Sequence, residues 1–354
     1  AVGSNFYITT LLLRGAPSRI NIFYNLHSMV IEGRIDRNHM YTGKELPKII
    51  AVVGPTASGK SAVGLALARA FDGEVVAADS RTIYRDMNIG TAKPTGERVL
   101  GGDLRQMAGE KPLMVEGIPH WGIDIADPDE VFSVAEYQAY ADKAIDGILK
   151  RGRVPIIVGG TGLYVRALLD RPNFTEVPPN ESLRMELATL SNAELMAEIA
   201  ERDPDTASAI DEDNRRRLER AIEVLRATGK TLAETQKFDA PKYAALQLGI
   251  EIDREELYQR IDERVDAMIA GGLVDEVRGL KDKYGNNATA MTGIGYRQIV
   301  EFLDGKVKLR DAVTRIKFDT HHYAKRQETW FKRDERIVWV RNAKEAIEAA
   351  QKFL

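Results

Sequence analysis

Apolar residues fall along this chain in two rhythms. Ile49-Ile50-Ala51-Val52-Val53 is a short unbroken apolar run, the pattern of a strand buried on both faces. After a Gly-rich turn, residues 61–71 carry Val63, Leu65, Leu67 and Ala70 at helical spacing. Glu74-Val75-Val76-Ala77-Ala78 predicts a second buried strand, ending at Asp79-Ser80. Val154-Pro155-Ile156-Ile157-Val158 predicts a third, ending at Gly159-Gly160-Thr161-Gly162. Residues 245–252 read as a strand returning to the same sheet. Ile337-Val338-Trp339-Val340 reads as the last strand, followed by a helix from about Ala343 to the end. Strands alternating with helices predict an α/β fold: a parallel sheet with right-handed crossovers, flanked by helices.

The middle of the chain keeps only the helical rhythm. Leu183, Leu187, Leu190, Leu195 and Ile199, then Leu218, Ile222 and Leu225, are spaced for helices. This predicts an all-helical insertion over residues 171–244, entered through Pro178-Pro179 and left near Pro241. The core is then residues 47–170 and 245–354. Residues 1–46 differ again: no acid precedes Glu32, and Arg14 and Arg19 sit among small, apolar and aromatic residues. Ile31-Glu32-Gly33-Arg34 has the form of a cleavable linker and Asn38-His39-Met40 of a cloning junction. The segment is expected to be an added piece or a transit peptide and is set aside from the fold.

Composition narrows the function classes. With 44% apolar and 29% charged residues in 354, the chain has ample core material and is not globally disordered. It has no Cys, which excludes disulfides, thiolate metal sites and a Cys nucleophile, and fits a reducing compartment. A net charge of −3 excludes a uniformly basic nucleic-acid-coating protein but leaves room for a local basic groove. No apolar run approaches the roughly 18 residues of a membrane span, so no membrane role is expected.

The strongest chemical signal is Gly54-Pro55-Thr56-Ala57-Ser58-Gly59-Lys60-Ser61, a P-loop pattern between a predicted strand and a predicted helix. Its glycines let backbone N–H groups wrap an anion, and the helix N-terminus adds its positive end. Lys60 supplies a point charge to phosphate oxygens, and Ser61 is placed to hold Mg²⁺. The pattern points to a diphosphate or triphosphate without saying which. A metal-holding acid is expected at a strand end. The third strand ends in glycine, so the candidate is Asp79, as general base or metal ligand. Capping whatever follows it is its structural alternative.

Asp79 opens a longer motif, Asp79-Ser80-Arg81-Thr82-Ile83-Tyr84-Arg85-Asp86-Met87-Asn88-Ile89-Gly90-Thr91-Ala92-Lys93-Pro94. Further motifs follow in order: His120-Trp121-Gly122-Ile123-Asp124-Ile125, Pro128-Asp129-Glu130-Val131-Phe132-Ser133, Gly159-Gly160-Thr161-Gly162-Leu163-Tyr164, and Arg216-Arg217-Leu218-Glu219-Arg220-Ala221-Ile222-Glu223-Val224. Residues 254–265, Gly293-Ile294-Gly295-Tyr296 and Ala324-Lys325-Arg326-Gln327-Glu328-Thr329-Trp330-Phe331 complete the series. Together with the P-loop, from about Ile49 to Trp339, this order resembles the tRNA dimethylallyltransferase family. Any one motif beyond the P-loop is weak; their joint order is specific.

The resemblance implies transfer of a dimethylallyl group from dimethylallyl diphosphate to N6 of the adenosine 3′ of the anticodon in tRNA, with Mg²⁺, by a monomer in the cytoplasm, or in an organelle if the leading segment is a transit peptide. It implies Asp79 as base, with Lys60, Ser61 and Thr56 in the catalytic set. It implies diphosphate binding by Gly54 to Ser61 together with Arg260 and Arg264. It implies tRNA contacts at Asp79, Ser80, Arg81, Thr82, Thr161, Arg184, Arg216, Arg217, Arg220, Gly293, Ile294, Gly295, Tyr296, Lys325 and Arg326. On spacing alone, Arg260 and Arg264 equally suit pairing with Glu256 and Glu263, the arginine cluster suits a solvated helix face, and Trp330 suits a core position. The family usually has Thr-Arg where this chain has Thr320-His321-His322, and residues 95–117 are longer than expected. A P-loop small-molecule kinase, a free-AMP prenyltransferase and a non-catalytic RNA-binding nucleotide switch remain open from the residues themselves.

Overall fold

The computed structural model describes residues 45–98, 112–173, 177, 178, 180–235, 237–285 and 288–354. The expectations for residues 1–44 lie outside them, as does much of the long 95–117 stretch. Residues 46–354 fold as one unit.

The first crossover is β1 (Lys48–Val53), α1 (Lys60–Ala70) and β2 (Gly73–Ala77). Next come short strands β3 (Glu97–Arg98), β4 (Leu113–Val115) and β5 (Ile118–Trp121). Helix α2 (Val134–Lys150), β6 (Val154–Gly159) and α3 (Gly162–Asp170) follow. The insertion holds β7 (Pro172–Asn173), α4 (Glu181–Leu187), α5 (Asn192–Arg202), α6 (Pro204–Ala209), α7 (Arg215–Thr228), α8 (Leu232–Thr235) and β8 (Lys237–Phe238). The chain returns through β9 (Ala244–Ile250), α9 (Arg254–Ala270), α10 (Leu273–Tyr284), α11 (Tyr296–Leu303), α12 (Leu309–Lys332), β10 (Ile337–Val340) and α13 (Ala343–Phe353).

The sheet order is β10-β9-β1-β6-β2-β5-β4-β3. Neighbours from β10 through β5 run parallel, as the alternating pattern predicts. At the far edge β4 and β3 turn antiparallel, an addition the pattern does not reveal. β1 shows why its run is unbroken. Ile49, Ala51 and Val53 pack into the core beneath α2 and α3, while Ile50 and Val52 pack beneath α1 and α13. The insertion has its own small core of Leu187, Leu195, Ile199, Leu218 and Ile222. It is helical as expected, except that β7 and β8 pair antiparallel at its two ends, a two-residue ladder too short to register as a pattern.

Two glycines set the geometry above the strands. Gly59 caps α1 at φ +91°, a conformation side chains resist. A Cβ on Gly159 would lie 1.9 Å from the Ala78 carbonyl oxygen, so only glycine lets the end of β6 close against the end of β2. Asp79 and Thr161 leave those two strand ends side by side.

Candidate active site

The P-loop lies over the carboxyl end of β1. Helix α1 begins without a side-chain cap and without an acid in its first turn, whereas α2 and α5 each carry a full Ser/Glu capping box. Its opening N–H groups are therefore left for an outside anion. The Lys60 ammonium lies against the Pro55 carbonyl at 3.0 Å. Burial pulls its pKa from 10.5 down to about 8; Asp79 pulls the other way, and Arg264 adds to the depression. Arg264 reaches Thr56 Oγ1 at 3.4 Å, and burial lowers its own pKa as well. Arg260 pairs with Glu256 at 2.5 Å, and its guanidinium lies 3.8 Å from where a Gly59 Cβ would sit. Ser58 Oγ is buried with no partner among the described residues, and Ser61 is exposed.

Across the crevice stands the Asp79 loop. No helix follows Asp79. Its carboxylate accepts the Arg81 N–H at 2.8 Å, closing a local turn, so it caps a turn and still acts electrostatically on Lys60. The Ser80 N–H donates to Thr161 Oγ1 at 3.0 Å, and Arg81 reaches the Ala290 carbonyl at 3.4 Å, beside Gly293. The structure thus brings together Asp79, Ser80, Arg81, Thr161 and the loop before α11.

Other candidates are placed differently. Tyr296 is 1% exposed; its ring lies against Gly90 and its hydroxyl donates to Glu276 at 2.7 Å. Its apolar ring is needed in the core under α10, so it props the loop and presents no surface to RNA. Gly295 is buried at the start of α11, its N–H bonded to Gln298, and Ile294 is half-buried. Thr82 is buried, with no partner for its hydroxyl among the described residues.

Arg184 and Arg220 share an internal partner. Glu223 is 1% exposed, and Arg184 grips it at 2.7 and 3.2 Å while Arg220 reaches it at 3.0 Å. Desolvation opposes its charge, yet these bonds and the Asn180 N–H outweigh it and hold its pKa below the ordinary Glu value. A buried carboxylate demands such partners, so both arginines are tied to Glu223, with the Arg184 side chain still 43% exposed. Arg216 and Arg217 are exposed, and Arg216 lies near enough to Tyr84 to act on its phenol. Lys325 and Arg326 are exposed on α12, with Arg326 over the Tyr323 ring at 5.8 Å. Trp330, placed in the core by spacing, is 40% exposed and lies over Gly162. His321 pairs with Asp262 at 2.9 Å and stacks on Tyr258.

Two residues near the centre received no separate role in the sequence. Gln327 accepts the Thr56 N–H and donates to the Gly160 carbonyl, both at 2.8 Å. Tyr323 lies within hydrogen-bond reach of Thr161, and burial, then Asp79, push its pKa up to about 12. An uncharged Gln inside a basic-aromatic helix was the available signal. Among the described residues, no group of three or more His, Asp or Glu is placed to hold a metal, and no helix is long and apolar enough to cross a membrane.

Residues 82–334 match the profile of the IPP transferase family. A tRNA dimethylallyltransferase from Thermomicrobium roseum is 44% identical over 296 residues, covering 82% of this chain and 85% of that one. A second, from Symbiobacterium thermophilum, is 42% identical over 298 residues, covering 82% and 88%. The crystal structure of a tRNA isopentenylpyrophosphate transferase from Bacillus halodurans superposes with a TM-score of 0.62 at 35% identity, covering 86% of this chain and 95% of that one. A eukaryotic dimethylallyltransferase described as acting on tRNA gives 0.67 at 28% identity, covering 87% and 77%.

Proposed function

The chain belongs to the IPP transferase family and is a tRNA-modifying prenyltransferase. From that premise we propose that it moves a dimethylallyl group from dimethylallyl diphosphate to N6 of the adenosine 3′ of a tRNA anticodon. The observation that carries this reading is the crevice between P-loop and Asp79 loop, with a cationic wall facing a carboxylate.

The diphosphate takes the α1 N-terminus, Lys60 and Arg264, and Lys60 exchanges the Pro55 carbonyl for a phosphate oxygen. Charge grows on this leaving group as the C–O bond breaks, so fixed cations there lower the barrier. The adenosine enters from the Arg81–Thr161 side, swung out of the anticodon stack as base-modifying enzymes require. Asp79 takes the proton that N6 loses as it bonds to carbon. The exposed Ser61 hydroxyl at the head of α1, with no group of three or more His, Asp or Glu placed to hold a metal among the described residues, suits Mg²⁺, an ion that keeps its waters and binds substrate phosphates. Ser61 would hold it, and it would supply charge neutralisation at the diphosphate. Arg216, Arg217, Lys325 and Arg326 serve the RNA backbone.

The test is product analysis. Unmodified tRNA, the protein and dimethylallyl diphosphate should yield a nucleoside heavier than adenosine by one prenyl group on mass spectrometry. Phosphate transfer from ATP to a small acceptor, with no prenyl product, would support the kinase reading instead.

A further inference from the structure

Helix α12 lays one face along the turn between β6 and α3. Tyr323, Gln327 and Trp330, at i, i+4 and i+7, share that face. They meet Thr161, Gly160 and Gly162 respectively. Gln327 alone also crosses to the P-loop, where its Oε1 accepts the Thr56 N–H. Thr56 Oγ1 in turn lies beside Arg264. The Gly160–Thr161 turn holds Ser80, next to Asp79. One buried amide therefore joins the loop proposed to carry the diphosphate to the turn that supports the base.

We infer that Gln327 is a positioning residue that fixes the diphosphate loop against the acceptor side of the crevice. This rests on the proposed function. In-line transfer needs the leaving group and the attacking amine held in one geometry, and misplacement by about 1 Å costs on the order of 10²-fold in rate. An amide suits the place because it gives one acceptor and one donor to two main-chain groups of opposite kind. Without it, the Thr56 N–H and the Gly160 carbonyl lose their partner together. A Cβ at Gly160 would lie 2.3 Å from Gln327 Nε2 and would displace the amide from its place.

The experiment compares the wild-type protein with Gln327→Met and Gln327→Glu. Steady-state prenyl transfer to unmodified tRNA is read from about pH 4 to 8, from the ordinary Glu value of about 4.3 upward, with thermal melts and separate binding of tRNA and inorganic diphosphate. Gln327→Met keeps the length and removes both bonds; kcat should fall about 10²-fold while both binding affinities stay near wild type. Gln327→Glu keeps the acceptor and regains the donor only when its carboxyl is protonated. Its kcat relative to wild type should rise as pH falls. If Gln327→Met fails to fold, the Glu variant carries the test. A lower melting temperature with normal kcat, or a Glu-to-wild-type ratio flat with pH, would overturn the inference. No transfer by the wild-type protein would overturn the proposed function and this inference with it.

Discussion

Replacing Lys60 with Met should stabilise the ligand-free protein while disabling it. Folding takes the Lys60 ammonium out of water, and this desolvation, with Arg264 adding to it and Asp79 opposing it, lowers its pKa from 10.5 to about 8. Below pH 8 the group is charged in both states, and the folded state bears the whole cost. At about 1.4 kcal/mol per pKa unit, that cost is roughly 3 kcal/mol. Between 8 and 10.5 the unfolded chain binds more protons than the folded one, so stability rises with pH and the cost disappears. Met keeps the buried stem without the charge. Urea unfolding at neutral pH should therefore show Lys60→Met more stable by about 1–3 kcal/mol, and the gain should shrink to under about 1 kcal/mol near pH 10. Prenyl transfer should fall by roughly 10²–10³-fold in kcat/KM, the scale of one lost charge at a developing anion. A variant less stable than wild type at pH 7, or one with normal transfer, would refute this account of Lys60.

Three further outcomes follow from the geometry. Arg216→Ala with Arg217→Ala should weaken tRNA binding and flatten its dependence on log salt by roughly 0.7–0.9 per lost phosphate contact, read by titration at several salt concentrations; diphosphate affinity should hold. Arg220→Ala should instead cost about 1–3 kcal/mol of stability, because Glu223 keeps Arg184 but loses a partner; an unchanged denaturation midpoint would contradict the buried-triad reading. Gly159→Ala should destabilise the protein by at least about 1–3 kcal/mol, since its Cβ would meet the Ala78 carbonyl oxygen and part β2 from β6.

The parallel core was legible because strands buried on both faces are written as unbroken apolar runs, as in β1 and β6. The positions of the P-loop and Asp79 were legible because they are local: a turn between strand and helix, and an acid at a strand end. What escaped depends on partners distant in sequence. Gln327 meets residues 271 and 167 positions away, and an uncharged Gln among basic and aromatic neighbours marks its own position in α12 without naming either partner. Arg216, Arg217 and Arg220 look alike in sequence; buried Glu223, shared with Arg184, draws in Arg220 and leaves Arg216 and Arg217 exposed. Tyr296 was read as a site residue from its motif, yet Glu276, twenty residues earlier, claims its hydroxyl. The antiparallel β3–β4 edge and the β7–β8 ladder are too short to have a period.

The central claim is that one crevice holds a diphosphate on the Lys60 side and takes a proton on the Asp79 side. Single-turnover transfer by Asp79→Asn, with tRNA and dimethylallyl diphosphate both saturating, tests it most directly. The substitution keeps the size and the oxygen that accepts the Arg81 N–H, and removes only the base. The account predicts tRNA and diphosphate affinities close to wild type and a transfer rate lower by about 10²–10⁴-fold. A wild-type transfer rate with only a lowered melting temperature would contradict it and leave Asp79 as the cap of its own turn.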